Sequence, residues 1–216
     1  LLIVTFGGVA LHNQAMRTLV GQRDERAAKA AAHALSDQLN QRVNEIHMLA
    51  SGASGNPSSQ EFSDLLGKNE FLLASFDQGL AFFTSDGQVL ASEGNLDRWQ
   101  NLVGKQAPNL ENILDPQAPP GLYFSASDEA TGFIFVAAPV TPTGPIAIGA
   151  FSPQVFIQRT LEMIFDPNEG GSAFVVTKNH QLLFSTGALV ENAGLTDHPG
   201  VDAAIQGQSG STFMQS

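Results

Sequence analysis

The chain has no cysteine. Disulfide staples, thiolate nucleophiles and Cys-ligated zinc or iron–sulfur centres are therefore excluded. Cations are scarce as well: 10 Lys and Arg stand against 21 Asp and Glu, a formal charge of −11. Nucleic acid or an anionic membrane surface calls for clustered cations, so neither is expected as the main partner. Tryptophan and tyrosine occur once each, at Trp99 and Tyr123. The one Asn-x-Ser/Thr triplet, Asn56-Pro57-Ser58, carries the proline that blocks glycosylation. There is no Gly-rich phosphate loop and no H-E-x-x-H pair. The apolar, uncharged stretch Leu1 to Leu11 is too short to cross a bilayer, which needs about 20 residues. It reads as the outer end of a transmembrane helix, with a signal-peptide remnant or a core segment as the other readings.

What the chain does contain is a globular composition, 43% apolar and only 14% charged. Its clearest local signal is Ala81 to Ser92, A-F-F-T-S-D-G-Q-V-L-A-S, two β-favouring runs around a D-G step. Glycine enters the left-handed region without Cβ strain and Asp tolerates it, which predicts a hairpin. A similar stretch returns at Phe174 to Ser185, F-V-V-T-K-N-H-Q-L-L-F-S. There Thr177, Gln181, Leu183 and Ser185 repeat Thr84, Gln88, Leu90 and Ser92 at a constant offset of 93 (177 − 84). Either two modules are related by duplication or two amphipathic hairpins agree by chance.

From Asn13 to about Ser51 the sequence lacks proline and is rich in Ala, Leu, Gln, Glu and Arg, which predicts a long helix. Ala28, Ala32, Leu35, Leu39, Val43, Ile46 and Ala50 form a stripe of helical spacing on it. The stripe is small in its first half and larger in its second. That suits either a helix that pairs with a second copy and then packs on a domain, or one that simply lies on its own domain. Ser51 to Gln60 reads as a loop, Gln60 to Lys68 as a second helix, and Leu96 to Leu114 as irregular with helical turns. Gly121 to Ala126, Gly132 to Val140 and Pro145 to Phe151 read as strands, and Gln154 to Phe165 as a helix stopped by Asp166-Pro167. A short helix is expected at Val201 to Ile205.

In order, the exit helix, L-A-F-F-T-S-D-G-Q-V-L-A-S, the run G-F-I-F-V-A-A-P-V with G-P-I-A-I-G-A-F-S, and H-P-G-V-D-A-A-I-Q-G-Q-S-G resemble the double Cache family. These are tandem PAS-like sensor domains lying outside the membrane in bacterial receptors. The resemblance implies an α+β fold, a long N-terminal helix followed by two PAS-like antiparallel-sheet modules, the second cut short. It divides the chain into 1–11, the end of a transmembrane helix; 12–52, a membrane-exit helix; 53–153, a membrane-distal module; 154–171, a linker helix; and 172–216, the start of a membrane-proximal module. It implies a periplasmic or extracellular sensor at the cell inner membrane. Such a region binds a small molecule in the distal module and signals through the long helix to a kinase, chemotaxis or cyclic-dinucleotide output absent from this chain.

Amino-acid-binding members carry an Arg and a Trp-aromatic pair, a later Tyr, and a terminal Asp, so that Arg takes the ligand carboxylate and Asp its ammonium. Here Arg98-Trp99 and Tyr123 correspond, but Gln100 stands where an aromatic follows and Phe151 where the Asp is expected. Arg98, Trp99, Tyr123, Ser125 and Asp128 are the candidate pocket walls, against core packing, turn capping or solvated charge. Lys105 is a lesser candidate for an anionic ligand. His12, His33 and His47 share a heptad phase but lie too far apart on one helix to share a metal. His180 and His198 have no second ligand at useful spacing. Gly207-Gln208-Ser209-Gly210 superficially resembles a nucleophile elbow without its strand–turn–helix context. No metal, no cofactor and no catalytic residue are expected. A homodimer through the N-terminal helix is. The alternatives to a small-molecule sensor are a module that contacts a periplasmic protein and, third, a secreted hydrolase.

Overall fold

The computed structural model describes residues 2–53, 57–94, 99, 113–124, 133–164, 174–176, 182–185 and 199–208. The fold is α+β. Its first element, α1, runs unbroken over Leu2–Gly52, so the apolar start and the expected exit helix are one helix. Among the described residues, no helix is long and apolar enough to cross a membrane. The apolar stripe divides in two. Ile46 and Ala50 are buried and Leu35, Leu39 and Val43 half-buried, whereas Ala28 and Ala32 are exposed and Ala31 is buried in their place. Met16, Leu19 and Val20 are exposed on the same N-terminal part.

The chain forms two compact units, Asp37–Phe156 and a second made of Leu1–Ser36 with Ile157–Ser216. In the first, α2 (Ser59–Lys68) starts at a capping box: Ser58 accepts from the Glu61 amide, and Glu61 accepts in return from the Ser58 amide. Phe62 and Leu66, one helical turn apart, are its buried face. A 3-10 turn at Glu70–Ala74 leads to β1 (Gly79–Phe83), followed by β2 (Val89–Glu93), β3 (Gly121–Phe124), β4 (Ile134–Pro139) and β5 (Ile146–Phe151). These form one antiparallel sheet in the order β2-β1-β5-β4-β3. β1 and β5 are buried at every position and β4 at all but its last. Continuous apolar runs rather than alternation are the expected pattern for strands covered on both faces.

One face lies under helices. Leu80 and Phe82 point to it, and the Phe62 and Phe82 ring centroids lie 4.4 Å apart with the planes tilted by 34°. Each such fully buried phenylalanine contributes roughly 1.5–3 kcal/mol. Gly149 on the same face has a packing reason. A Cβ there would stand 2.5 Å from Phe76 Cδ1 and 2.7 Å from Ile46 Cδ1, so the glycine is what lets α1 and Phe76 come down onto β5. The hairpin between β1 and β2 turns through Gly87 at φ 89°, closed by Thr84 N to Gln88 O at 2.9 Å. α3 (Pro153–Glu162) follows β5 directly, with proline at its first position, where a missing N–H costs nothing.

In the second unit, β6 (Phe174–Val176) and β7 (Leu182–Ser185) pair antiparallel. Their register slips between Val175–Phe184 and Val176–Leu182, as that of the first hairpin slips between Phe82–Ala91 and Phe83–Val89. All four positions differ by the 93-residue offset of the sequence repeat (175 − 82), so the irregularity itself is duplicated. α4 (Pro199–Ile205) ends at Gly207, φ 78°. Gln208 N bonds to Ala203 O and Gly207 N to Ala204 O, the Schellman pattern. Gly207 is thus a helix stop, which accounts for the start of G-Q-S-G without a nucleophile.

Candidate functional site

The sheet face opposite α2 carries the candidate site. Antiparallel register assigns Ala81, Phe83, Phe135, Ala137, Ile146, Ile148 and Ala150 to it, and these pack with Trp99, Ile113 and Leu114 from the segment between β2 and β3. Trp99 is only 2% exposed. Its indole meets the Phe83 ring edge-on, centroids 5.8 Å apart. Tyr123 packs at the margin of the same cluster. The two therefore border the same face, at different ends of it.

Their spacing follows from the ladder. Gly79 pairs with Ala150, Ala150 with Phe135, and Phe135 with Tyr123. Three strand spacings separate the ends of this row, about 14 Å. Trp99 stands at the Gly79 end. Gly79 and Gly94 both have positive φ, 111° and 97°. A Cβ on Gly79 would lie 3.0 Å from Trp99 Nε1 and 2.6 Å from Glu93 O, and one on Gly94 would lie 2.9 Å from Gly79 Cα. A side chain at Gly79 would press on the indole, and one at Gly94 on the Gly79 backbone. Trp99 Nε1 is buried and has no hydrogen-bond partner among the described residues. Tyr123, at the other end, has its phenol pushed above the ordinary range, first by burial and then by the nearby Asp115 carboxylate.

Arg98, Ser125, Asp128 and Lys105 lie outside the described residues, as do His180 and His198. His33 and His47 are exposed, and His12 belongs to the part of α1 whose side chains are not described. Among the described residues no three His, Asp or Glu side chains gather to hold a metal.

Three features escaped sequence reasoning. Arg42 on α1 places its guanidinium 4.8 Å from the Phe151 ring centroid and 4.5 Å from that of Phe156, and donates from Nε to Ser75 O at 3.1 Å. Asp77 Oδ1 accepts from the Ser152 amide at 2.8 Å, where β5 passes into α3. Gln78 N bonds to Ala150 O. Residues 75–78 thus tie α1, the end of β5 and the start of α3 to the strand that begins at Gly79. The signal for Arg42 was its position, three residues after Leu39 and four before Ile46, a cation on the apolar stripe. Asp77 and Gln78 act across the fold and left no local pattern.

No family model matches the chain, and no curated protein matches it at a significant level.

Proposed function

We propose that the chain is the extracytoplasmic ligand-sensing region of a bacterial receptor, with the architecture the double Cache resemblance implies. Carrying most weight is one sheet with a long helix on one face and, on the other, a face closed by Trp99, Ile113 and Leu114 from a single connecting segment. A small molecule seated between that segment and the sheet would shift β1 and, through residues 75–78, the anchoring of α1 and α3. Such coupling requires different affinities for two arrangements of those helices. On this reading the protein is anchored in the inner membrane with this region outside it. A second copy would cover the exposed Met16, Leu19 and Val20 together with Ala28 and Ala32. Catalysis, where the receptor has any, belongs to a separate output domain.

The burial of Trp99 favours a second reading, in which the far face is a sealed core and the partner is a periplasmic protein. Thermal unfolding against small organic acids, amines, purines and sugars separates the two. A ligand at 100 times its dissociation constant adds about 2.7 kcal/mol, a shift of several degrees. A folded sample that no compound stabilises would sink the small-molecule reading.

A further inference from the structure

The chain passes between its two compact units twice, at Ser36–Asp37 and at Phe156–Ile157. Each passage lies inside an unbroken helix, the first in α1 and the second in α3. One cluster within the unit Asp37–Phe156 holds these two helices to each other, close in sequence to both passages. Arg42, on α1, donates from Nη1 to Gln38 O at 3.3 Å and from Nε to Ser75 O at 3.1 Å. Its guanidinium lies at once over Phe151, at the end of β5, and over Phe156, which belongs to α3. The rings pack edge-on in turn, Phe151 against Phe156 at 5.5 Å and against Phe76 at 6.2 Å. From the same short segment as Ser75 and Phe76, Asp77 accepts from the Ser152 amide immediately before α3 begins. A planar guanidinium can stack on rings and donate in its own plane together, which an ammonium does less well and a methyl group not at all.

We infer that Arg42 and Asp77 form a latch that locks α1 to α3, so that the two helices by which the chain leaves this unit move in it as one body. The two contacts support each other. Asp77 fixes the start of α3 and with it Phe156, one of the two rings under Arg42, while Arg42 fixes Ser75 and with it the segment that carries Asp77. Losing either contact therefore loosens the helix held by the other. The latch needs no ligand, so it goes beyond the sensing reading and stands or falls apart from it.

Two single variants and their double, all in the full chain, test it. Native-state amide exchange read by mass spectrometry should show Asp77→Ala opening α1 around Arg42 and Arg42→Met opening α3. Each should quicken by about tenfold relative to the α2 peptide of the same sample. In urea unfolding, the rise in the unfolding constant of the double variant should fall short of the product of the singles by about threefold or more. Ser58→Ala removes a cap that shares no partner with the latch, and combined with Arg42→Met it should reach the product within about twofold. Should Arg42→Met fail to fold, Arg42→Lys takes its place in the same cycle. The latch is overturned if Asp77→Ala leaves exchange in α1 unchanged, if α2 quickens as much as α1 and α3, or if the double variant reaches the full product.

Discussion

Replacing Arg42 with methionine should destabilise the unit Asp37–Phe156 by about 2–3 kcal/mol while keeping the apolar stem in place. A bond from a charged donor to a carbonyl, here Arg42 Nε to Ser75 O, is worth roughly 1.5–3 kcal/mol. The two ring faces under the guanidinium, Phe151 and Phe156, add about 0.5–1 kcal/mol each when solvent still reaches the group. Arg42 and Ser75 are both half-buried, so water recovers part of the loss and the terms do not simply add. Lysine keeps the charge but not the planar fork, and Arg42→Lys should fall between wild type and Arg42→Met. Urea unfolding followed by Trp99 fluorescence reports this unit alone, since the only tryptophan is buried in its core. With a slope of about 2 kcal/mol per molar, the methionine variant should unfold roughly 1–1.5 M earlier. A midpoint within about 0.2 M of wild type, or lysine no better than methionine, would refute the clamp.

Gly149→Ala should cost about 1–3 kcal/mol by overpacking, because its methyl meets Phe76 and Ile46; Phe76→Leu in the same chain should recover part of it in urea melts. The lone tyrosine titrates visibly at 295 nm, and the Tyr123 phenolate should appear above its ordinary pH range. Asp115→Asn should reverse the smaller part of that shift, burial being the larger cause. Because the unfolded phenol loses its proton first, this contribution to stability is complete below about pH 10 and fades as pH rises through the folded value. Ser58→Ala should cost about 1 kcal/mol by removing the α2 cap. Glu61 is held below the usual carboxylate range by the Ser58 amide first and its hydroxyl second. Its contribution is present above the unfolded pKa and lost as pH falls through the folded one, so the penalty of Ser58→Ala should shrink in acid melts.

Periodicity and turn chemistry made most elements legible. Gln60 to Lys68 was legible as α2, Asp86-Gly87 as the turn of the first hairpin, and the runs 132–140 and 145–151 as the strands observed at Ile134–Pro139 and Ile146–Phe151. The order β2-β1-β5-β4-β3 was not readable, since pairing β1 with β5 joins residues that no local pattern connects. Phe151 illustrates the limit at the site. The family resemblance sets it where a terminal Asp is expected, and its ring packs on the helix-bearing side with Phe76, Phe156 and Arg42. Alternation along β5 decides that, once the strand's facing is known. Trp99 stood out for its rarity, but its burial against Gly79 and Phe83 depends on contacts across the fold that no local pattern shows.

The sheet's two margins bear on how copies of this chain can meet. β2 is five residues long, leaves its pairing with β1 through an irregularity at Phe83, and is packed against α2. β3, at the other margin, has four residues and follows Pro119-Pro120, where the first available amides are missing. Neither offers a long regular ladder for another extended chain to join, and short, bulged or proline-flanked edges are how sheets resist amyloid-like growth. Cross-strand growth from the edges of this five-stranded sheet is therefore disfavoured, and samples of the chain should show no thioflavin-positive aggregates that nucleate on β2 or β3.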